Sequence, residues 1–539
     1  MHFFTVVVGC LLAVFSTAVM GYISMATPIG PWIAPTLVLF ASVIFKLIYS
    51  NKSSGKNIVL ATATGSIGGI LAVACGFSFP TLYFLDKSLF NSWLASPVFF
   101  VSALAALSIS AGMLGFWLAD LVQVSLIEKQ NLSFPIGQLV YKMISSQKQL
   151  SKAKDLFFGL GGGIMYGIFQ DGFIFFKGFL PKVLTLIGKC KLLFLNIPHI
   201  RITMPMLPML WAIGFVTGHV IAVPLAVGAI AKIIILDPIN TLFFQHIQRF
   251  DFILAFCSGM VLAGAVSGFI ATPKALWKTF KDKRNGKKTT KNSSGITLTK
   301  GLLVELCIVL AIIFCCLSYF KFSFISQVYL IVFSLICAYQ IVVIAGKIGL
   351  AQLGRFATFV MIPAMFMFGL NFVQLVILST FVEIVGGVAA DVLFSRKVAV
   401  LSGIKIKVVR RYQLLGLVVS SIAIGIVFWL LITSLGLGSA ELFAQRAQAR
   451  SLLINFKCFD IYVLIIGFVF GYILKKIRIS PMLVLGGLLM PIDISLGLIL
   501  GGASTLLFKD KESLFPFASG MFAANSLWVL GQAAASFFK

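Results

Sequence analysis

The chain has 539 residues, of which 60% are hydrophobic and 11% charged, and it carries a formal net charge of +27. This composition excludes a soluble protein with one large core and predicts an all-α polytopic membrane protein. Because Lys and Arg gather in short loops between apolar segments, the charge indicates the orientation of membrane spans and not the binding of nucleic acid.

The N-terminal half, residues 1–271, is a series of apolar segments of membrane length separated by short polar loops. The sequence predicts its first spans near residues 3–24, 32–49, 59–85, 97–127 and 156–176. Residues 177–201 place several Lys among Leu, Ile and Phe, a composition that favours an amphipathic interfacial helix.

The apolar stretch 204–236 is longer than one span requires, and Gly218 and Pro224 interrupt it. As one helix it would place the following basic linker outside the cell. As a broken pair of shorter segments followed by a span at 252–271, it places the linker in the cytosol, as the charge of the linker demands. We therefore predict the broken pair, and we expect Gly218 to lie beside a substrate path.

A basic polar linker, residues 272–300, separates this half from the C-terminal half, residues 301–539. Together the halves predict about sixteen membrane elements (14–16), some of them broken or re-entrant, with both termini in the cytoplasm. The richness in Phe, Lys and Ile and the short N-terminal extension favour a bacterial inner (plasma) membrane. The spans of the second half are predicted near residues 302–320, 327–345, 356–370, 372–393, 412–435, 461–474, 482–507 and 515–538.

Glu383 is an ionisable residue near the middle of the predicted span 372–393, where a charge costs about 2.5–3.5 kcal/mol on insertion scales. Facing a gated cavity, such a carboxyl group can take up a proton on one side and release it on the other. The alternative is a protonated carboxyl that joins two helices by a hydrogen bond. Asp171 and His219 are further candidates for proton coupling, against the alternatives of a solvated loop residue and a packed histidine.

Pro135 and Gly137 lie where a cytosolic loop meets the next apolar segment. Proline removes a backbone donor and glycine relaxes φ, so this segment is either re-entrant, with unwound backbone lining a cavity, or an ordinary helix start. In the first case Gln138 and Tyr141 would also line the substrate path.

Several short motifs occur in one order along the chain. They are the segment around Phe134, Pro135 and Gly137, the stretches 57–85 and 207–230, the set Asp391, Leu393, Lys397, Leu401 and Gly403, and the C-terminal residues Pro491, Ser495, Gly501, Gly502, Ser519 and Gly520. This ordered set resembles the oligopeptide transporter (OPT) superfamily, which includes yellow-stripe-like metal-chelate carriers and many bacterial members. The chain departs from the family pattern at Ser395, which replaces an Asp, and at Ile136, where bacterial members usually carry Glu.

The resemblance implies a bacterial-type secondary active transporter that imports short oligopeptides or peptide-like metal chelates with protons. It implies a gating or structural role for Asp391, Lys397 and Gly403, although an Asp and a Lys at a helix end also fit a simple interfacial pair. Cofactors, a resident metal and enzymatic activity are not expected. The expected partners are the cargo, protons and membrane lipids, with a homo-oligomer left open.

Two other functional classes stay open at this point. A membrane-embedded transferase of lipid-linked substrates would need catalytic groups gathered at one interface, and the sequence spreads its acidic residues over many loops. A non-transporting membrane scaffold would need large docking loops, which only the linker approaches.

Overall fold

The chain is helical over most of the residues that the structure describes. The computed structural model describes residues 3–27, 32–48, 54–130, 132, 134–145, 149–173, 176–181, 183–190, 200–206, 208–249, 251–260, 262–263, 300–348, 351, 353–439, 441–455, 460–477, 479, 481–489, 492–508 and 511–536. Within them, seven helices are long and apolar enough to cross a membrane, and shorter apolar helices accompany them. The predicted class, an α-helical polytopic membrane protein, is confirmed.

The helices before the linker are α1 (Phe3–Ala26), α2 (Ala34–Ile48), α3 (Ser54–Ser78), α4 (Thr81–Leu85), α5 (Lys87–Leu94), α6 (Pro97–Gln123), α7 (Pro135–Ser145), α8 (Gln149–Asp171), α9 (Pro208–Thr217), α10 (His219–Ala231), α11 (Asp237–Phe243) and α12 (Asp251–Met260). Two π-helical turns, Val124–Lys129 and Lys232–Leu236, extend α6 and join α10 to α11.

The helices after the linker are α13 (Lys300–Tyr319), α14 (Phe324–Ile348), α15 (Leu353–Phe368), α16 (Phe372–Leu401), α17 (Ile406–Leu435), α18 (Gln445–Ile454), α19 (Ile461–Lys476), α20 (Pro481–Leu489), α21 (Ile492–Ser504) and α22 (Lys511–Ser536). Among them, α14, α16 and α17 contain the candidate membrane spans of this part of the chain.

The interfacial helix predicted at residues 177–201 is wrong. The structure has two antiparallel hairpins between α8 and α9, formed by β1 (Gly172–Phe173) with β2 (Phe176–Lys177) and by β3 (Val183–Cys190) with β4 (Ile200–Pro205). The β4 sequence Ile-Arg-Ile-Thr-Met alternates apolar and polar residues and is rich in β-branched side chains, which fit a pleated strand better than a helix.

The chain forms two compact units. Unit 1 comprises Met1–Ser24, Gly30–Gln149 and Ala265–Trp429, and unit 2 comprises Met25–Ile29, Leu150–Gly264 and Leu430–Lys539. Each unit takes residues from both sides of the linker, so neither unit corresponds to one half of the sequence. The division in chain order at 1–271, 272–300 and 301–539 stays a prediction, since residues 272–299 lie outside the described residues.

Helix α16 is the centre of unit 1. Nearly all of its 30 residues are buried, and it packs against α3, α6, α7, α14 and α15. Its start is fixed by a capping box, in which the Asn371 side chain accepts from the N–H of Gln374 at 2.9 Å and the Gln374 side chain accepts from the N–H of Asn371 at 3.1 Å. A helix that is apolar on all sides is expected at such a central place.

Unit 2 is built from four pairs of helices that approach each other at glycines. In each pair, a Cβ added to the glycine of one helix would lie 2.0–2.3 Å from a backbone oxygen of the other helix, and the reverse also holds. In lipid, small residues allow the close backbone packing that drives helix association. The pairs are α8 with α22 (Gly159, Gly520), α9 with α21 (Gly214, Gly501), α10 with α20 (Gly228, Gly487) and α12 with α19 (Gly259, Gly467).

The two helices of each pair run parallel. The contacted oxygen always belongs to the residue three positions before the partner glycine, as for Gly159 with the oxygen of Phe517 and Gly520 with the oxygen of Leu156. Contacts one turn away show the direction, because Gly163 approaches Ala524, Gly471 approaches Ala263 and Gly497 approaches Leu210, so the contact positions rise together along both helices of these three pairs. The pair of α10 and α20 has the same reciprocal offset.

We expect Gly159→Ala to lower the free energy of unfolding by about 1–3 kcal/mol, the usual cost of overpacking. The added methyl group would lie 2.0 Å from the carbonyl oxygen of Phe517. Gly161→Ala, in the same helix, is the matched control, since nothing lies within 4 Å of its Cβ position. Thermal unfolding of both variants in one detergent tests this, and equal midpoints for the two variants would contradict the close packing.

Candidate functional site

Two carboxylates of α16 are each held by a serine of α3. Ser78 Oγ donates to Glu383 Oε2 at 2.6 Å, and Ser66 Oγ donates to Asp391 Oδ2 at 2.6 Å. Glu383 is 0% exposed and Asp391 is 2% exposed. With a rise of about 1.5 Å per residue, the two carboxylates lie about 12 Å apart along the helix. The structure thus places both of these predicted residues in one helix pair.

A small cavity of about 20 Å³ lies beside Asp391. Its walls come from α2, α3, α7 and α16, and Gly137 of α7 is one of the lining residues. A Cβ at Gly137 would lie 2.8 Å from the carbonyl oxygen of Phe394, so glycine permits α7 to pack directly on α16. The structure therefore brings together Gly137 and Asp391, which the sequence analysis had placed in separate groups.

The turn before α7 is anchored by Phe134. This residue adopts a left-handed conformation, with φ of 45°, and its N–H donates to the carbonyl oxygen of Gly346 at 2.8 Å. Its ring packs edge-on against the ring of Phe394 of α16, with the ring centroids 5.7 Å apart. The ring of Trp32 also packs edge-on against Phe394, with the ring centroids 4.8 Å apart. These contacts hold a backbone conformation that is rare for a residue with a large side chain.

Helix α7 combines features of both alternatives for the Pro135 segment. It begins at Pro135, at the first helical position where proline is favoured. Its 11 residues span about 16 Å, too short to cross about 30 Å of hydrocarbon. Gln138 is exposed and Tyr141 is half-buried, while the side chain of Pro135 lies outside the described ones.

Four ionised side chains from four helices form a network in unit 1. Arg396 Nη2 of α16 lies 2.6 Å from Asp120 Oδ1 of α6, and Arg410 Nε of α17 donates to Asp120 Oδ2 at 2.8 Å. Arg410 also pairs with Glu305 of α13, and Arg396 Nη1 donates to Gln123 Oε1 at 2.7 Å. The fully buried Arg396 is thereby neutralised in a set with equal numbers of positive and negative charges.

The sequence analysis does not single out Arg396 and Arg410 among the Lys and Arg residues between apolar segments, nor does it name their acidic partners. Asp120 and Glu305 fall inside the predicted spans 97–127 and 302–320. An ionisable residue within a span is costly and marks either a function or a paired partner, so that signal was present. The sequence does not reveal which arginine each carboxylate meets.

Lys397 and Gly403 belong to the end of α16. Lys397 is 6% exposed. Gly403 has φ of +65° and ends the helix in a Schellman motif, with its N–H donating to the oxygen of Val400 and the N–H of Ile404 donating to the oxygen of Ala399. This geometry gives Gly403 a helix-ending position, and the gating role of the Asp391, Lys397 and Gly403 set stays a prediction.

In unit 2 the predicted interruption of residues 204–236 lies at Gly218, between α9 and α10, whereas Pro224 lies inside α10. The chain reverses direction at this break. Helix α9 runs parallel to α21, but α10 runs opposite to α21, because Gly502 approaches Ala222 while Thr505 lies 4.0 Å from the Cβ position of Gly218. The two segments therefore run in opposite directions and form a helical hairpin.

The same contacts give the directions of α20 and α21. Helix α20 runs parallel to α10 and α21 runs opposite to α10, so α20 and α21 run in opposite directions. Helices α9 and α20 have 10 and 9 residues, about 15 Å or less, and neither can cross the membrane alone. Paired broken segments of this kind place helix ends and unwound backbone where they can bind ions and polar substrates.

Two predicted site residues lie in unit 2, and the structure describes the side chain of only one of them. Asp171 ends α8, and its Oδ2 accepts a hydrogen bond from Trp528 Nε1 of α22 at 2.9 Å. This carboxylate therefore links α8 to α22, which also contact each other at Gly159 and Gly520. His219 is the first residue of α10, but its side chain lies outside the described ones. Its proton-coupling role stays a prediction.

Comparison with known proteins gave one match along nearly the whole chain. A family model described as "OPT oligopeptide transporter protein" matches residues 3–535. No curated protein matches the sequence.

We expect Asp120→Asn to lower the free energy of unfolding by about 3–5 kcal/mol, because a buried guanidinium would lose its counter-charge. Glu128→Gln is the control, since Glu128 is exposed in the π-helical extension of the same helix. Unfolding of the purified variants by a graded detergent titration measures the difference. A stable Asp120→Asn protein would show that the network is not needed for the packing of unit 1.

We expect Gly218→Ala to lower the free energy of unfolding by about 1–3 kcal/mol, because φ of +66° with ψ of −156° is a conformation that essentially only glycine adopts. Gly531→Ala in α22, where nothing lies within 4 Å of the Cβ position, is the control. The same detergent titration checks both. If Gly218→Ala unfolds like Gly531→Ala, the reversal at this residue does not depend on glycine.

Proposed function

We propose that this chain, which belongs to the family of OPT oligopeptide transporters, is a secondary active transporter that couples proton flow to the import of its cargo. Family membership makes it a membrane transporter of oligopeptides or related substrates. Proton coupling, the choice of cargo and the residues involved are our proposals. For the cargo we propose short oligopeptides or peptide-like metal chelates.

Glu383 is the observation that carries the proposal of proton coupling. Its carboxyl group is fully buried near the middle of the apolar helix α16, and it accepts a 2.6 Å hydrogen bond from Ser78. An ionised carboxylate is costly at such a place, so a cycle of protonation and release has a large effect on the energy of the surrounding packing.

The change of direction between α9 and α10 supports a substrate path at Gly218. At the reversal the backbone leaves the helix, and helix ends expose amide and carbonyl groups that match those of a peptide. A peptide backbone or the carboxylates of a chelate can exchange hydrogen bonds with water for hydrogen bonds with these groups. Gln138 and Tyr141 of α7 would add side-chain contacts in unit 1 if the path also passes Pro135 and Gly137.

Asp171 and His219 are secondary candidates for proton coupling in unit 2. Asp171 already accepts from Trp528, which favours a role in positioning α22. His219 follows the break at Gly218, and an imidazole there would change charge within the physiological pH range. A metal in the cargo would arrive already coordinated by its chelator, so the transporter needs no ligand set of its own for it.

The chain is an integral membrane protein, as its family and apolar helices show. We propose a bacterial inner membrane with both termini in the cytoplasm, on the positive-inside distribution of Lys and Arg.

Proteoliposomes with an imposed proton gradient test the function. A pool of di- to hexapeptides, and separately iron or nickel chelates, is added while an internal dye reports pH. We expect one of these additions to trigger proton influx, and Glu383→Gln to reduce that influx to the leak of empty vesicles while cargo exchange without a gradient persists. Glu128→Gln, which neutralises an exposed carboxylate, serves as the control.

Full proton-coupled uptake by Glu383→Gln would remove this residue from the coupling step. Failure of every cargo in tight vesicles with correctly oriented protein would overturn the proposed cargo classes.

A further inference from the structure

Four side chains with oxygen atoms face each other between α3 and α16 at the level of Asp391. Thr62 and Ser66 lie four residues apart on α3, and Asp391 and Ser395 lie four residues apart on α16, so each couple occupies one helix face. Ser66 Oγ donates to Asp391 Oδ2 at 2.6 Å and lies 3.4 Å from Ser395 Oγ. The two helices run in opposite directions here, because Ser66 meets Asp391 while Ser78 meets Glu383. This arrangement brings Thr62 opposite Ser395.

Thr62 is the feature that the packing of the helices does not explain. It is 4% exposed, and its Oγ1 has no hydrogen-bond partner among the residues that the structure describes. Leaving a buried hydroxyl unsatisfied costs about 1–3 kcal/mol. A threonine in an apolar helix usually avoids this cost by donating to the carbonyl oxygen one turn earlier, as Thr64 does to Leu60 at 3.0 Å.

The cavity of about 20 Å³ lies where Thr62, Asp391 and Ser395 converge. A space of this size holds one or two atoms of the size of a water oxygen. Apolar side chains of α2, α3, α7 and α16 form the rest of its wall, and Gly137 lets α7 close over it. The unsatisfied hydroxyl, the carboxylate and the space beside them together form a site for a small ligand.

The oxygen donors define the chemistry of that ligand. One carboxylate and three hydroxyls supply a single negative charge and only hard oxygen ligands. A calcium ion takes six to eight oxygens, usually with several carboxylates, and zinc or copper selects nitrogen and sulfur. Among the described residues, no group of three or more His, Cys, Asp and Glu side chains could hold such a metal. A monovalent cation of the size of sodium matches the charge and the volume.

We propose that unit 1 binds one sodium-sized monovalent cation between α3 and α16, with Asp391 supplying the charge and Thr62, Ser66 and Ser395 supplying neutral oxygen ligands. The site lies about 12 Å along α16 from Glu383, so it is separate from the proposed proton-coupling carboxyl. Cation binding in the absence of cargo does not depend on the proposed transport function, and it can be measured whether or not transport is observed.

Equilibrium binding of ²²Na⁺ to the purified full-length protein in detergent, immobilised on scintillant beads, tests the proposal. We expect saturable binding of about one ion per chain, displaced by unlabelled Na⁺ and much less by choline. Asp391→Asn, which keeps the shape of the side chain, should abolish the binding. Thr62→Val removes the hydroxyl at nearly constant volume and should weaken it at least about tenfold.

Matched variants separate loss of a ligand from loss of folding. Thr62→Ser keeps the hydroxyl and should retain binding within about threefold, whereas Ser395→Ala should weaken it at least about tenfold. Glu128→Gln, at an exposed carboxylate in the π-helical turn after α6, should bind as the original protein does. Before binding is measured, each variant must have the same unfolding midpoint as the original protein in choline buffer. A variant that fails this check is replaced by another substitution at the same position, to serine, alanine or valine.

Three results would overturn the proposal. In the first, the original protein binds no more ²²Na⁺ at saturating concentration than Asp391→Asn does. In the second, Thr62→Val and Thr62→Ser bind ²²Na⁺ equally. In the third, Glu383→Gln loses the binding and Asp391→Asn retains it. The first result would mean that the cavity holds only water, and the third would place the cation at Glu383 instead. Because no cargo or gradient is used, none of these results bears on whether the protein transports peptides or chelates.

Discussion

Unit 1 depends on how one buried helix satisfies its ionisable groups. Helix α16 is enclosed along most of its length, yet it carries Glu383, Asp391, Arg396 and Lys397. Buried polar groups need partners, and those of α16 come from different neighbours: serines of α3, Asp120 and Gln123 of α6, and Gln413 of α17. Each polar contact fixes both the identity of the neighbouring helix and its register, which apolar packing alone specifies weakly. The arrangement around α16 is thus determined by a few hydrogen bonds within a large apolar interface.

In unit 2, small residues and not ionised groups define how the helices pack. Lipid tails are as apolar as leucine, so the hydrophobic effect gives helices little reason to associate, and close backbone approach supplies the attraction. The glycines of the four parallel pairs provide that approach. Close packing in this unit also surrounds the break at Gly218 with small residues, since Gly502 of α21 approaches its carbonyl oxygen. The device that stabilises this unit is therefore the one that allows irregular backbone inside it.

Much of this could be predicted from the sequence, and the exceptions have physical causes. Apolar runs of fixed length located the helices, and the break at Gly218 followed from a stretch too long for one span. Glu383 was identified because a carboxyl is rare in the middle of such a run. Residues 177–201 were assigned to a helix from their mixture of basic and apolar side chains, although the alternation in β4 indicated a strand. The Arg396 network was missed because Asp120 lies hundreds of positions away in the sequence. Thr62 and Ser66 gave no signal, since hydroxyl residues in apolar helices usually bond to their own backbone.

The two carboxylates of α16 lie in different environments on the same helix. Between them, Gly387 lies against Ile70 of α3, so an apolar contact separates the level of Glu383 from the level of Asp391. Each carboxylate accepts a hydrogen bond from a serine of α3. A shift of α16 along α3 would change both bonds together, because a helix moves as one body. If Glu383 takes up a proton and Asp391 binds a cation, as proposed, each event acts on the position of α16, and thermodynamic reciprocity makes the effect of either one on the other equal. The coupling needs no contact between the two sites, only a common helix whose position both of them influence.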